Sequence, residues 1–226
     1  MSDPMRSGPL VKICGLVRAD DARQARAAGA DLVGAILTEG FRRSIPPDTA
    51  RQFTEPGGPP LVAVLVNESA GSASAIARTA GASVLQLHGE ESPQRLAELR
   101  GEGDWNLWKA LRPRSADDLC RGIERYAEGA DALLLDGWSP KARGGSGTRV
   151  SWKLVEEERD GLPPGVLLIL AGGLTPENVG EAVERLKPDV VDVSSGVEAS
   201  VGRKDPGRME RFVQAARRVS TSQRSA

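Results

Sequence analysis

A few polar side chains end apolar runs in this chain, and their types are those of proton-transfer chemistry. Cys14 closes the run VKIC, and Lys12 precedes it on the same face, because alternate side chains of a strand point the same way. A thiol in that position suits a base or a nucleophile, and the Lys12 ammonium is expected to raise its thiolate fraction at neutral pH. Asp136 closes ALLLD. An apolar run leading into one carboxyl delivers it to a partly desolvated mouth, and desolvation favours the neutral form that a general acid needs. The plainer alternative for Asp136 is a helix cap or a partner for a neighbouring lysine. Gln86 and His88, the only histidine, share a face of SVLQLH. Histidine is the reflex choice for acid–base work, but a single histidine at a strand end reads better as an orienter or a substrate contact. Asp192, inside VVDVS, is placed to neutralise Lys12 or Lys109. The other thiol, Cys120, lies in the helical stretch DDLCRGIERY and reads as a small hydrophobe.

Anion chemistry is suggested by three further segments. AGGLTPENV (171–179) gives a turn whose backbone N–H groups can approach an anion, with Thr175 and Pro176 marking a helix start, and SSGVE (194–198) adds hydroxyls and another glycine. Arg42 and Arg43, in EGFRRSIPP, offer planar forks of donors for a substrate carboxylate. The glycine-rich, basic stretch 141–149 reads as a lid that would exclude water from a reactive intermediate.

To converge, these groups need a common scaffold. Apolar runs recur at 11–14, 32–37, 61–66, 83–88, 107–111, 132–136, 166–171 and 190–194, and helical spacing fills intervals such as 20–30, 72–82, 93–101 and 176–187. Near-continuous apolar strands alternating with amphipathic helices imply a parallel sheet covered by helices. Repetition of the unit along the chain predicts closure into a single α/β (β/α)8 barrel of parallel strands, the TIM-barrel class. In that fold the strands' C-terminal ends surround the active site, and phosphate often sits at the loops after strands seven and eight. An open doubly wound sheet fits less well, since KICGLVRADD after the first strand lacks the Gly-x-Gly-x-x-Gly turn.

The 226 residues suit one domain, expected over 10–218, with polar tails at 1–9 and 219–226. Lys and Arg number 30 against 31 Asp and Glu, a balance that points away from nucleic acid and towards small-molecule partners. No apolar run approaches the roughly 20 residues of a membrane span, and no secretory leader is evident, so no membrane partner and a cytoplasmic location are expected. Two cysteines at this spacing suggest neither a disulfide framework nor a metal site.

In order, KICG, QLHGEE, LLLDG, GGSG, AGGLTPENV and DVSSGVE resemble phosphoribosylanthranilate isomerase of tryptophan biosynthesis, over roughly residues 11–218. The resemblance implies an Amadori rearrangement of a phosphorylated aminoaldose without metal or organic cofactor. It assigns Cys14 as general base and Asp136 as general acid. It selects Arg43 over Arg42 for the anthranilate carboxylate, and Gly172, Gly173, Ser195 and Gly196 for the phosphate. Gln86, His88 and Asp192 are expected to contact substrate or support those that do. Ser151 stands before Trp152 where the family usually has an aspartate, and is expected still to cap the sixth helix. The lead TEGFRRSIPP also departs from the family's aromatic- and proline-containing pattern. Rival readings are a dual-substrate isomerase of the histidine and tryptophan pathways, disfavoured by cysteine rather than aspartate at 14, and a non-catalytic phosphosugar-binding barrel. The expected assembly is a monomer or homodimer.

Overall fold

The computed structural model describes residues 8–54, 56–137 and 151–218. The expected lid at 141–149 and the tails 1–7 and 219–226 lie outside the described residues.

Eight strands form a closed, all-parallel barrel in chain order: β1 (Leu10–Ile13), β2 (Leu32–Ile36), β3 (Leu61–Leu65), β4 (Val84–Leu87), β5 (Asn106–Leu111), β6 (Ala132–Leu135), β7 (Leu167–Leu170) and β8 (Val190–Val193). Closure pairs β1 with β8, Lys12 lying opposite Asp192. Each strand coincides within a residue or two with a predicted apolar run, because strands buried on both faces must be apolar almost throughout.

The helices are α1 (Ala19–Ala27), α2 (Pro47–Arg51), α3 (Ala70–Ala80), α4 (Pro93–Glu102), α5 (Ala116–Tyr126), α6 (Trp152–Glu158), α7 (Val179–Leu186) and α8 (Pro206–Arg218). Local chemistry sets several of their ends. Ser69, Ser92 and Ser115 accept a backbone N–H in the first turns of α3, α4 and α5, and left-handed Gly81 ends α3. One expectation fails here and one holds. Ser151 occupies the N-cap position of α6 but makes no side-chain cap bond. Thr175 acts as expected at a helix start: its Oγ1 accepts from Glu177 N at 3.3 Å and its carbonyl from Val179 N at 3.1 Å, while Asn178 Oδ1 accepts from Thr175 N at 2.8 Å, so that a turn at 176–178 leads into α7. The asparagine side chain reaches back to the Thr175 N–H as the reciprocal half of a capping box and so supports the helix entry.

The barrel divides the core in two. Outward-facing strand residues pack with the helices, whereas Leu32, Val62, Val84, Trp108, Ala132, Leu134, Ile169 and Val190 fill the interior. Following the same inward parity towards the strands' C-terminal ends turns the lining polar: Lys12 then Cys14 on β1, Gln86 then His88 on β4, Asp192 then Ser194 on β8, and Asp136 after Leu134 on β6. An apolar floor thus carries a polar rim. Beyond β8 the chain makes a short 3₁₀ turn at Ser195–Val197, then a small antiparallel hairpin of β9 (Glu198–Ser200) and β10 (Arg203–Lys204) before α8. Among the described residues no helix is long and apolar enough to cross a membrane.

Candidate active site

The polar rim opens into a cavity of about 440 Å³, lined by Cys14, Arg43, Gln86, His88, Asp136, Gly172, Gly173, Asp192, Ser195 and Gly196 among others. These ten residues, all singled out from the sequence for chemistry or binding, are therefore brought to one place. Arg42 lines the cavity too, but it is exposed, whereas Arg43 is buried.

Cys14 follows β1 immediately and is buried. Beside it Lys12 is wholly buried, its Nζ 3.0 Å from Asp192 Oδ2. This settles which lysine Asp192 serves. Lys109 instead faces outward from the barrel and pairs with Glu91 at 2.8 Å. Room for the Lys12 ammonium inside the barrel comes from Gly34 on β2: a Cβ there would lie 2.9 Å from Cys14 Sγ and 3.1 Å from Lys12 Nζ. Burial would strip charge from Lys12, yet Asp192 and the adjoining thiol hold its pKa above the ordinary lysine value. For Cys14 the Lys12 ammonium favours the thiolate, as expected from the sequence, but it is not the largest influence. Burial pushes the thiol up, and the opposing pull of Lys12 does not overcome it, in part because Asp192 repels a second negative charge. Asp192 Oδ1 has no hydrogen-bond partner among the described residues, so a buried acceptor lines the cavity unsatisfied.

Asp136 is anchored through Oδ1, which accepts from Gly137 N at 2.8 Å. Its Oδ2 lies 3.3 Å from His88 Nε2, and His88 Nδ1 lies 2.9 Å from Gln86 Nε2. The histidine thus stands between a buried amide and the carboxyl, with Nε2 near the carboxyl but making no hydrogen bond among the described residues.

On the opposite rim the loop after β2 is folded on itself: Ser44 Oγ donates to Thr38 O at 2.6 Å and accepts from Phe41 N at 3.0 Å, and Ser44 bridges Ile36. Arg43 is thereby turned inward. Its Nε and Nη2 each donate to one oxygen of Glu198 at 2.7 Å, a bidentate pair that raises the guanidinium's pKa further. Glu198 and its second cation Lys204 were not foreseen, since nothing local distinguishes them from surface charges. The only signal was position, Glu198 ending the SSGVE segment already marked for phosphate.

Gly172 and Gly173, after β7, both adopt the left-handed conformation, at φ 79° and 67°. Asn178 Nδ2 donates to Gly173 O at 3.0 Å, turning that carbonyl towards the loop's own helix. Gly196, in the 3₁₀ turn, packs so closely on the Leu174 carbonyl that a Cβ would overlap it. The two glycine segments therefore form one continuous wall. Ile36, Phe41, Val64 and Val66 supply an apolar side near Arg43's loop, also unforeseen. Among the described residues no group of three or more His, Cys, Asp or Glu is placed to hold a metal ion.

Residues 11–215 match the family model described as N-(5'phosphoribosyl)anthranilate (PRA) isomerase. An N-(5'-phosphoribosyl)anthranilate isomerase of Rubrobacter xylanophilus is 41% identical over 209 residues, covering 92% of this chain and 98% of the relative. A crystal structure of monomers generated from the dimeric phosphoribosylanthranilate isomerase of Thermotoga maritima superimposes with a TM-score of 0.80 at 33% identity, covering 92% of this chain and 98% of that one. A phosphoribosyl anthranilate isomerase in complex with reduced 1-(o-carboxyphenylamino)-1-deoxyribulose 5-phosphate gives a TM-score of 0.78 at 31% identity, with coverage of 92% and 98%.

Proposed function

The chain belongs to the N-(5'-phosphoribosyl)anthranilate isomerase family of tryptophan biosynthesis, and from that premise we propose the division of labour in its site: Asp136 is the general acid and Cys14 the general base. The observation that carries this reading is that the barrel brings the ends of β1 and β6 to one cavity, whose wall on one side is the pair of glycine loops and on the other Arg43.

In the reaction Asp136 gives its proton to the furanose ring oxygen, the C1–O bond breaks, and the nitrogen lone pair forms the C=N bond of a protonated Schiff base. The Cys14 thiolate then takes the proton from C2, and those electrons neutralise the iminium as an enolamine. Tautomerisation yields the 2-ketone as C1 gains a proton and the C2 hydroxyl loses one, and loss of the Cys14 proton with return of a proton to Asp136 restores the starting thiolate and acid. The Gly172, Gly173, Ser195 and Gly196 segments hold the phosphate through backbone N–H groups, and Arg43 holds the anthranilate carboxylate. Asp192 Oδ1, an unsatisfied acceptor in the cavity, is suited to a ribose hydroxyl. Lys12 keeps a positive charge beside the thiol and so lowers the cost of forming its anion.

Anthranilate fluorescence gives the test. Freshly prepared phosphoribosylanthranilate should be consumed by the wild-type protein, and Cys14→Ser and Asp136→Asn should each lower kcat by at least roughly 100-fold, the usual scale for a lost acid or base. Well-folded wild-type protein without turnover would instead support a phosphosugar-binding barrel. Rescue of a histidine auxotroph as well as a tryptophan auxotroph would replace the single-substrate reading by the dual one.

A further inference from the structure

The hairpin after β8 reaches back to the loop after β2, which is 155 residues away in sequence, through one buried cluster. Glu198 takes both Nε and Nη2 of Arg43, leaving the fork's remaining nitrogen, Nη1, without a protein partner among the described residues. Glu198 Oε1 is shared: it also accepts from Lys204 Nζ at 3.1 Å and from Gly202 N at 3.3 Å. Lys204, itself buried, donates in addition to the Ser194 carbonyl at 3.0 Å, and Asp21 Oδ2 receives its backbone N–H at 3.0 Å. The Arg43 stem is confined from below, since a Cβ on Gly15 would lie 2.9 Å from Arg43 Cδ.

Charge arithmetic gives this cluster its character. Among the three side chains joined directly, the Glu198 carboxylate set against a guanidinium and an ammonium leaves a single positive charge, the buried Asp21 carboxylate lying on the backbone side of Lys204, and only Arg43 of the two cations lines the cavity. Burial works against the Glu198 carboxylate, but the Arg43 fork and the Lys204 ammonium hold it ionised, with its pKa below the usual carboxylate range. An arginine paired with Glu198 alone would present a neutral group to a ligand. With Lys204 behind the pair, the face presented is cationic, and the orientation of the fork is fixed before a ligand arrives.

We infer that Glu198, braced by Lys204, is the positioning residue that makes Arg43 select a substrate bearing a carboxylate on its aryl amine. This rests on the isomerase reading for the substrate's identity but not for the preference itself. The two cations are thus unequal in role: Arg43 touches the ligand, whereas Lys204 braces Glu198 and also holds the Ser194 carbonyl.

The experiment compares Glu198→Gln and Lys204→Gln with the wild type, using phosphoribosylanthranilate and its carboxylate-free counterpart phosphoribosylaniline as substrates. Binding of reduced 1-(o-carboxyphenylamino)-1-deoxyribulose 5-phosphate and of its phenylamino analogue is measured alongside by calorimetry. Positioning predicts that Glu198→Gln raises KM for the carboxylated substrate by at least tenfold with a much smaller change in kcat, and compresses the preference for the carboxylated ligand by a similar factor. A purely electrostatic role predicts the reverse, because removing a negative charge would tighten carboxylate binding. Lys204→Gln should compress the same preference with Arg43 and Glu198 both intact, and Glu198→Asp, which keeps the charge but draws the carboxylate back from the fork, supplies the decision if Glu198→Gln does not fold: positioning predicts compression and a purely electrostatic role no change. Unchanged or increased preference in the folded variants overturns the inference. Wild-type protein that prefers the carboxylated ligand in calorimetry yet turns over neither substrate overturns the isomerase reading and leaves the positioning result standing on the binding data.

Discussion

His88 Nε2 lies 3.3 Å from Asp136 Oδ2, while the other ring nitrogen lies 2.9 Å from the Gln86 amide nitrogen. An amide nitrogen can only donate, so Nδ1 accepts and the imidazole proton belongs on Nε2, facing the carboxyl. That tautomer points an N–H at the carboxyl, and the interaction is stronger with the carboxylate left after proton donation than with the neutral acid. The histidine is thereby set to stabilise Asp136 after it has acted.

Because His88 is the only histidine in the chain, a ¹⁵N spectrum of its ring can be read without assignment. The neutral ring is expected to show Nε2 protonated and Nδ1 bare. A spectrum with the proton on Nδ1 would reverse the Gln86 amide and make His88 an acceptor for the acid's proton instead. His88→Asn should lower kcat by only about tenfold, well short of the roughly 100-fold or more that a lost acid costs.

The second prediction concerns pH. A base works deprotonated, so kcat/KM rises with pH until the medium passes the base's pKa in the free enzyme. Burial raises the Cys14 pKa, and its rising limb is therefore displaced to the alkaline side of the ordinary thiol value of about 8.5. Lys12 opposes that rise, so Lys12→Met should move the limb further alkaline, reinforced by the Asp192 charge it leaves uncompensated. Profiles of kcat/KM from pH 6 to 10 check both statements. A wild-type limb centred near neutrality, or one that Lys12→Met leaves in place, would remove Cys14 from the role of titrating base.

The strands and the inward polar residues were legible because a barrel strand is apolar on both faces, so that Lys12, Gln86 and Asp192 interrupt a pattern that admits few interruptions. Parity alone then put Gln86 with His88 and Lys12 with Cys14, and the structure has both pairs on common faces. What parity cannot supply is the partner across the barrel. Asp192 had two lysines to choose between, and the choice follows from Lys12 facing inward and Lys109 outward, a distinction made only once strand register is fixed. Glu198 and Lys204 were further from reach. They sit in a polar stretch whose charges look solvent-facing, and their burial arises from a hairpin folding back onto a loop from the other end of the chain. The thiol's net direction of shift was out of reach for a related reason: a neighbouring lysine is visible in sequence, but the depth of burial that outweighs it is not.

Glycines at the phosphate wall give a third prediction. At Gly173 the left-handed backbone disfavours any side chain by about 1–3 kcal/mol, and at Gly196 a Cβ would strike the Leu174 carbonyl, which belongs to the neighbouring loop and cannot swing aside as a side chain would. Gly196→Ala should therefore part the two loops, raising KM for the phosphorylated substrate by at least tenfold and weakening inhibition by inorganic phosphate in parallel. Gly172→Ala and Gly173→Ala should act in the same direction with a smaller effect. If inhibition by phosphate is unaffected in Gly196→Ala, the wall is not the phosphate site.

The last prediction concerns the buried pair that steadies the loop carrying His88. Glu91 receives Asn67 N at 2.8 Å, Gly89 N at 3.0 Å and Lys109 Nζ at 2.8 Å, and Tyr126 Oη donates to its carbonyl at 2.9 Å. Burial opposes the charge on Glu91, yet Lys109 and the backbone donors hold its pKa below the unfolded value. A depressed carboxylate pKa contributes stability that is present above the unfolded pKa, about 4.3, and is lost as pH falls through the folded one. Lys109→Met should cost about 3–5 kcal/mol at pH 7, because it strands a buried carboxylate. The cost should shrink below about pH 4.3, where Glu91 can take up a proton instead. Pairing Lys109→Met with Glu91→Leu should restore much of the loss, since the uncompensated charge is then gone. Urea unfolding of the three proteins at pH 7 and at pH 4 measures each of these differences, and a Lys109→Met penalty independent of pH would show that packing around the lysine stem, rather than the charge pair, holds the loop.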